Sequence, residues 1–285
     1  MPSILDLRRR IRSVKNTQQI TRAMKMVAAA RLRRAQERVI SARPYAALTA
    51  EFLSSLAART EDRSHPLLAE RPVRRICVVL ITADRGLCGA FNATLIRAAQ
   101  KYLEEKKSFD IRMIAAGRKG RDFFRRREVA LVGEYSSLFQ RRVEFESAQK
   151  LAAQISELYA NETVDAVDLI YNEFKSLFAP RLVTERLLPI KTETPAQGES
   201  QVDYIYEQPP SEIIGRLLPR YIEAEVYRAL IESQAAEFAS KMTAMDTATN
   251  NATDLIASYT LHLNRVRQAA ITKEIIEIVS GAAAL

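Results

Sequence analysis

The chain has 285 residues, 47% of them hydrophobic and 27% charged, which is the composition of a folded globular protein with one or two domains. No apolar run approaches the roughly 20 residues that span a bilayer, and the segment 1–12 is too charged for a secretory signal peptide. The two cysteines, Cys77 and Cys88, fit neither a disulfide framework nor a metal-binding pattern. We therefore expect a soluble protein in a reducing cytosol.

Positive charge is concentrated at the N-terminus. Lys and Arg exceed Asp and Glu by 43 to 34 over the whole chain, a formal net charge of +9. Residues 1–43 alone contain twelve Lys or Arg against Asp6 and Glu37, which gives +10. Such a block suits phosphates, anionic lipid or an acidic protein surface, and charge alone does not choose among them.

The N-terminal segment shows the periodicity of a coiled coil. From Ile4 to Leu56, steps of alternately three and four residues visit mostly apolar side chains, as a coiled-coil seam requires. The polar residues that interrupt this seam are Gln18, Thr21 and Lys25. Nearby apolar residues lie on an adjacent face, namely Ile20, Met24 and Val27. We expect the helix to meet other neighbours near Met24, with the residues released from the seam facing outward.

The C-terminal segment shows a second seam. Its apolar residues again alternate in steps of three and four: Ile256, Tyr259, Leu263, Val266 and Ala270. A further apolar stripe follows one position over, at Ile271, Ile275 and Ile278. Residues 246–254 are poor helix formers, so we expect them to be exposed or locally loosened, with local torsional softness. The two terminal helices can pair antiparallel; the alternative is a long homo-oligomeric coiled coil.

The middle of the chain has the pattern of an α/β domain. Short apolar runs that predict strands alternate with amphipathic helices, at residues 76–81, 111–116, 129–132, 167–171 and 182–188. We interpret this as a doubly wound domain of about five strands. The predicted organisation is an N-terminal helix at 1–58, a linker at 59–72, the α/β domain at 73–206 and a C-terminal helix at 207–285.

No catalytic or cofactor site emerges from the motifs. The glycine loops at 84–89 and 117–120 lack the G-x-G-x-x-G and P-loop spacings, although a small anion could still bind their amides. The two histidines, His65 and His262, have no neighbours that would make a triad or zinc site. Cys88 lies beside a buried strand and is expected to be a packed core residue. The sequence therefore predicts neither a bound metal nor a cofactor.

Three separated motifs resemble the gamma subunit of F-type ATP synthase. They are ITRAMKMVAAARL (Ile20–Leu32) with SARPY (Ser41–Tyr45), TADRGLCGAFN (Thr82–Asn92) and RQAAITKEIIEIVSGAAAL (Arg267–Leu285). The resemblance covers the whole chain and implies an antiparallel coiled coil of the terminal helices with an inserted Rossmann-like α/β domain. With only Cys77 and Cys88, the chain lacks the cysteine-containing insertion of photosynthetic relatives.

The resemblance implies a non-catalytic central rotor shaft that couples proton-driven rotation to ATP synthesis. Its expected partners are a ring of alternating alpha and beta subunits, the epsilon subunit and the membrane c-ring, with one copy per complex and no nucleic acid. The segment before Ile4 is too short for an organelle transit peptide. The expected location is therefore the cytoplasmic side of a bacterial inner membrane, as a peripheral subunit.

The resemblance also implies contact residues. Met24 and Lys25 match the segment that meets acidic loops of the beta subunits. Three residues match positions that hydrogen-bond the beta-subunit catch loop: Arg267, Gln268 and Thr272. The small uncharged tip is expected to turn in an apolar sleeve as a bearing, with Ala282, Ala283, Ala284 and Leu285 at its end.

Two other functions are weighed against this one. A basic coiled coil could bind nucleic acid through its arginine-rich N-terminal helix, which predicts steep salt dependence. An enzyme built on the α/β domain would require activity of the isolated chain that Cys88→Ala abolishes.

Overall fold

The computed structural model of the chain describes residues 3–59, 65–127, 129–139, 142–176, 180–190 and 209–282. The helices are α1 (Ile4–Arg59), α2 (Phe91–Glu105), α3 (Arg118–Phe124), α4 (Phe145–Ala160) and α5 (Pro210–Ala282). The strands are β1 (Arg75–Ile81), β2 (Asp110–Ala116), β3 (Ala130–Tyr135), β4 (Ala166–Phe174) and β5 (Pro180–Leu188). A short 3-10 helix, Pro66–Leu68, precedes β1. The chain divides into two compact units, one of residues 1–29 with 241–285 and the other of residues 30–240.

In the first unit, α1 and α5 pack together along the predicted seams. Every seam position of α1 from Ile4 to Ala28 is buried or half-buried. The α5 seam positions from Ile256 to Ala270 are half-buried, while the residues between them are exposed. Because each seam is covered by the other helix of the same chain, the homo-oligomeric alternative loses the surface on which it depended.

The second unit contains a five-stranded sheet in the order β3-β2-β1-β4-β5. All five predicted strands are confirmed. Strands β3, β2, β1 and β4 run parallel, and β5 runs antiparallel to β4. Only residues 175–179 connect β4 to β5, which is too short for the crossover that a parallel strand requires. Strand β1 is central, and residues 76–81 are at most 1% exposed.

The parts of α1 and α5 in this unit lie deeper than those in the first unit. On α5, residues 229–239 are all buried although they include charged and polar side chains. On α1, the seam continues through buried residues such as Leu32, Val39 and Leu56. The predicted fold class, two long terminal helices packed together and an inserted α/β domain, is confirmed.

Candidate partner-contact surfaces

At the polar interruption of the α1 seam, three side-chain hydrogen bonds between described residues join α1 to α5. Each joins one of the polar residues that interrupt the α1 seam to a polar residue of α5. The pairs are Gln18 with Thr253 at 2.7 Å, Thr21 with Thr249 at 2.8 Å and Lys25 with Asp246 at 2.5 Å. Residue numbers rise along α1 as they fall along α5, so the two helices are antiparallel. We call these three pairs the polar ladder.

The polar ladder corrects one expectation about the α1 interruption. The polar side chains do not leave the seam to face outward; they remain in it and bond to α5. Thr21 is only 8% exposed, and a polar group at such depth is favoured only when it is hydrogen-bonded. The seam therefore keeps its spacing through the interruption, where hydrogen-bonded polar pairs take the place of apolar contacts.

The ladder partners on α5 lie in the segment that was expected to be exposed or loosened. Residues 246–254 are helical throughout, so the helix has no break there. Ala252 is buried, and Asp246 and Thr249 are half-buried, whereas Asn250, Asn251 and Asp254 are exposed. The expectation of exposure holds for one face of this segment and is wrong for the face that meets α1.

Met24 and Lys25, the first predicted contact residues, differ in their surroundings. Met24 is half-buried, and Lys25 has 41% of its side chain exposed while it bonds Asp246. Three apolar residues beside them are 53–61% exposed: Ile20, Met26 and Val27. An apolar outer face next to a basic residue is thus available on this part of α1, as expected for Ile20 and Val27.

The second predicted contact group lies elsewhere on the same unit. Arg267, Gln268 and Thr272 are exposed, and no hydrogen bond or ion pair within the described ranges holds their side chains. Asp246 faces Lys25, and Arg267 lies twenty-one residues further along α5, about 30 Å at the rise of an α-helix. The structure therefore does not bring the two predicted groups together; they form two separate zones.

Beyond Arg267, α5 presents an amphipathic surface. The register of the polar ladder, extended to Ile4 at the start of α1, reaches α5 near Arg267, so the last turns of α5 continue past α1. Their apolar stripe is 48–71% exposed and consists of Ile271, Ile275 and Ile278. Lys273 and Glu277 pair at 3.5 Å on another face. Of the predicted bearing tip, Ala282 is exposed, and Ala283, Ala284 and Leu285 lie outside the described residues.

The α/β domain offers no amide cradle at its second glycine loop. Each main-chain N–H from 117 to 120 already has an acceptor: Tyr135 O, Asp84 Oδ1, Ala83 O and Thr82 Oγ1. The buried Asp84 carboxylate also accepts from the N–H groups of Ser137 and Phe139. The expectation that an anion could bind these amides is therefore wrong for residues 117–120, because carbonyl, hydroxyl and carboxylate oxygens of the chain itself already accept from them.

The cysteines and histidines do not form a catalytic group in the described part of the chain. Cys88 is 2% exposed and packs in the core between β1 and α2, and burial raises the pKa of Cys77 to about 12. Burial lowers the pKa of His65, whose Nδ1 accepts from the N–H of Leu67, and His262 is exposed.

In the described part of the chain, no three His, Cys, Asp or Glu side chains come together as metal ligands. None of its helices is long and apolar enough to cross a membrane.

Sequence reasoning missed the α5 side of the polar ladder. The missed residues are Asp246, Thr249 and Thr253. Their spacing of three and then four residues is the same as the spacing of the α1 interruptions. Matched polar interruptions in two seams were therefore a usable signal that the helices face each other at this level.

Comparisons with known proteins agree with this architecture. The ATP synthase family model matches residues 3–285. The ATP synthase gamma chain of Solibacter usitatus is 54% identical over 100% of this chain and 99% of its own length. The gamma chain of Desulfitobacterium hafniense is 50% identical over 100% of both chains.

Solved structures show the same arrangement. The central stalk and c-ring structure of the Tetrahymena thermophila mitochondrial ATP synthase contains a chain that is 27% identical, with a TM-score of 0.62, over 80% of this chain and 99% of that one. A chain of the Euglena gracilis mitochondrial ATP synthase is 18% identical, with a TM-score of 0.69, over 99% of this chain and 94% of that one, and shows the shared fold. Together the relatives favour a rotor shaft over a nucleic-acid-binding coiled coil.

Proposed function

Since this chain belongs to the ATP synthase gamma chain family, we propose that it is the central rotor shaft of a bacterial F-type ATP synthase. It is a non-catalytic subunit and transmits torque to sites on other subunits. The observation that carries the proposal is the full-length similarity to gamma chains combined with the antiparallel pairing of helices from the two ends of the chain.

The partners follow from this role. The alpha and beta subunits form the ring around the shaft, and the epsilon subunit and the c-ring bind its globular part. Proton flow through the membrane sector supplies about 2.3 kcal/mol per charge for each 100 mV crossed. One copy of the chain serves each complex, on the cytoplasmic side of the inner membrane. The Tetrahymena relative, which comes from a central stalk and c-ring structure, supports these partners.

The paired helices suit the transmission of torque. A single helix twists easily, whereas two helices joined by a continuous seam must deform together. The polar ladder adds directional bonds to that seam, because a hydrogen bond depends on angle and distance in a way that apolar contact does not. The first unit is therefore built to turn as one body.

The two exposed zones of the first unit are the proposed contacts with the beta subunits. Met24 and Lys25 would meet acidic loops, and the basic face of α1 supports this pairing by charge. Arg267, Gln268 and Thr272 would bond the catch loop, for which Arg offers forked donors and Gln both a donor and an acceptor. Because these side chains are exposed and unpaired among the described residues, their bonds can form and break on each turn.

The tip of α5 is proposed to act as a bearing. Its side chains are small or apolar, and residues 282–285 carry no charged side chain that could anchor it to a fixed partner. The exposed stripe of Ile271, Ile275 and Ile278 fits an apolar sleeve, since apolar contact is non-directional and opposes turning weakly.

Reconstitution tests the rotor function. The full chain is mixed with purified alpha and beta subunits of a bacterial synthase, ATPase activity is measured against the amount added, and a bead on the chain is observed under ATP. We expect stoichiometric restoration of ATPase activity and rotation of the bead in one direction. A complex that hydrolyses ATP without turning the bead would overturn the proposal. Steeply salt-dependent binding of DNA by the free chain would instead support the nucleic-acid alternative.

A further inference from the structure

A charged joint around the buried carboxylate of Glu232 connects α1, α5 and β4 in the second unit. Nε of Arg43 on α1 donates to Oε1 of Glu232 on α5 at 2.9 Å, and its Nη2 donates to the carbonyl oxygen of Phe174 at 2.9 Å. The other carboxylate oxygen of Glu232 accepts from the N–H of Phe174 at 2.9 Å. Both main-chain groups of the last β4 residue are therefore held by the two helices.

Because Glu232 is buried, the joint requires an arginine rather than a lysine at position 43. The Glu232 side chain is 1% exposed, so bonds from Arg43 and from the Phe174 amide replace the water that its carboxylate has lost. The planar guanidinium of Arg43 presents several donors at fixed angles, which allows it to bond a carboxylate and a carbonyl at once. A Lys ammonium carries the same charge without that fork.

A second charged link lies one helical turn earlier on α5. Arg228 contacts Glu225 of its own helix and Glu185 of β5, at 2.6 and 3.1 Å, and its Nη1 donates to the hydroxyl oxygen of Tyr171 on β4 at 3.2 Å. This link joins α5 to the sheet and leaves α1 out. At Glu232, one carboxylate of α5 holds both α1 and the sheet.

We propose that Arg43, Glu232 and the main chain of Phe174 form a torque joint that locks both shaft helices to the central sheet under load. This inference rests on the proposed rotor function and assigns positioning roles to Arg43 and Glu232. Residues 229–239 of α5 are all buried, and apolar contact resists separation better than sliding. The joint adds bonds that fix the helices along their axes and in rotation.

The test measures torque on the assembled complex. The full chain, with a bead attached through Arg97→Cys on the exposed side of α2, is assembled with alpha and beta subunits and driven by ATP. Speed is recorded with a small bead and with a large bead. Glu232→Gln keeps the shape of the side chain and removes the charge. Glu212→Gln is the matched control, because Glu212 is exposed and its partner among the described residues is Arg216 of its own helix turn, at 3.4 Å.

We expect Glu232→Gln to retain ATPase activity and small-bead speed but to deliver at least about twofold less torque with the large bead. The control should keep full torque at both loads. Arg43→Lys, whose site is half-exposed and tolerates the change, should also lose torque at high load, and it decides the matter if Glu232→Gln does not assemble. A merely structural role would lower assembly or thermal stability without this dependence on load.

Two results separate the possible failures. Full large-bead torque in the assembled variants would overturn the joint while leaving the rotor function intact. The second result concerns the parent chain, in which Arg43 and Glu232 are unchanged. If its complex hydrolyses ATP but turns neither bead, the rotor function itself is wrong.

Discussion

Nζ of Lys25 lies 2.5 Å from Oδ1 of Asp246, so a residue expected to meet an acidic partner is already held by an acidic residue of its own chain. Both side chains are close to half exposed, which limits the pair to roughly 0.2–1 kcal/mol of stability. An ion pair of that size can yield to a competing carboxylate. Asp246 therefore reduces the attraction between Lys25 and a passing acidic loop.

We predict that Asp246→Asn slows ATP hydrolysis by the reconstituted complex at low ionic strength, because the freed Lys25 holds the partner loop more strongly. The slowing should disappear as salt screens the attraction, and Lys25→Gln in the same chain should restore the rate. ATPase activity is measured across a salt series, with the exposed Asp254→Asn as the control for charge. Equal slowing with and without Lys25 would contradict this explanation.

Residues 246–254 should exchange their amide hydrogens faster than residues 229–239 of the same helix. Thr, Asn and Asp have low helix propensity, and one face of the segment is exposed, whereas residues 229–239 are all buried. Native-state hydrogen exchange of the full chain measures both segments in one experiment. Equal protection would mean that the polar ladder removes the softness predicted from composition.

Periodicity was enough to locate the seams, because a helix that buries one face must repeat its apolar residues every three to four positions. It was not enough to identify the pair Gln18 and Thr253. Their contact depends on the register between helices more than 200 residues apart, and a single polar residue carries no information about its distant partner. Only the shared spacing of the two interruptions pointed to that register.

The torque joint could not be predicted from the sequence, for a different reason. Charged residues are normally exposed, so the sequence gives no sign that Glu232 is buried. Its partners are a side chain on the other terminal helix and the main chain of Phe174, and no side-chain pattern reports on a main-chain group. The direction of β5, by contrast, could have been read from the short connection that precedes it.

Asp165 should contribute to stability at neutral pH and lose that contribution in acid. Hydrogen bonds from the Arg75 side chain and from the amides of Arg74 and Arg75 lower the pKa of Asp165 to about 2. That folded-state pKa lies below the unfolded value of about 3.9, so the stabilisation is present above pH ~4 and is lost as the pH falls towards 2. We expect about 1–2 kcal/mol, because Arg75 is 40% exposed and solvent screens the pair.

Urea unfolding of the full chain tests this value. Asp165→Asn should lower the free energy of unfolding by about 1–2 kcal/mol at pH 7 and by much less near pH 2.5. Asp110→Asn is the control, since the exposed Asp110 pairs with Arg112 at a long 3.7 Å and should change stability by less than about 0.5 kcal/mol. A loss that is the same at both pH values would show that charge is not its cause.

Cys77 and Cys88 should be unreactive in the folded chain. Both side chains are buried, and burial raises the pKa of Cys77 to about 12, which leaves almost no thiolate at neutral pH. A colourless disulfide reagent that releases a chromophore on reaction should detect neither thiol in native buffer and both in denaturant. Rapid reaction of one thiol in native buffer would contradict the buried position of that residue.

Arg267 and Gln268 should matter for coupling and not for the fold. Both are exposed and without partners among the described residues, so Arg267→Ala with Gln268→Ala removes no contact within the chain that stabilises α5. We expect the double variant to unfold within about 0.5 kcal/mol of the parent chain, as surface changes usually do. Proton-driven ATP synthesis by the complex in vesicles should fall, because the donors proposed for the beta-subunit catch loop are gone.

Asn264→Ala with Arg265→Ala is the matched control for that experiment. Both residues are exposed and lie about one turn earlier on the same helix. Their substitution removes the same charge and an equivalent side-chain amide. Synthesis rates are compared at equal amounts of assembled complex, and hydrolysis is measured alongside. If both double variants lose synthesis equally, the effect belongs to the helix surface in general. If neither does, Arg267 and Gln268 do not engage a partner, and the second exposed zone has a different role.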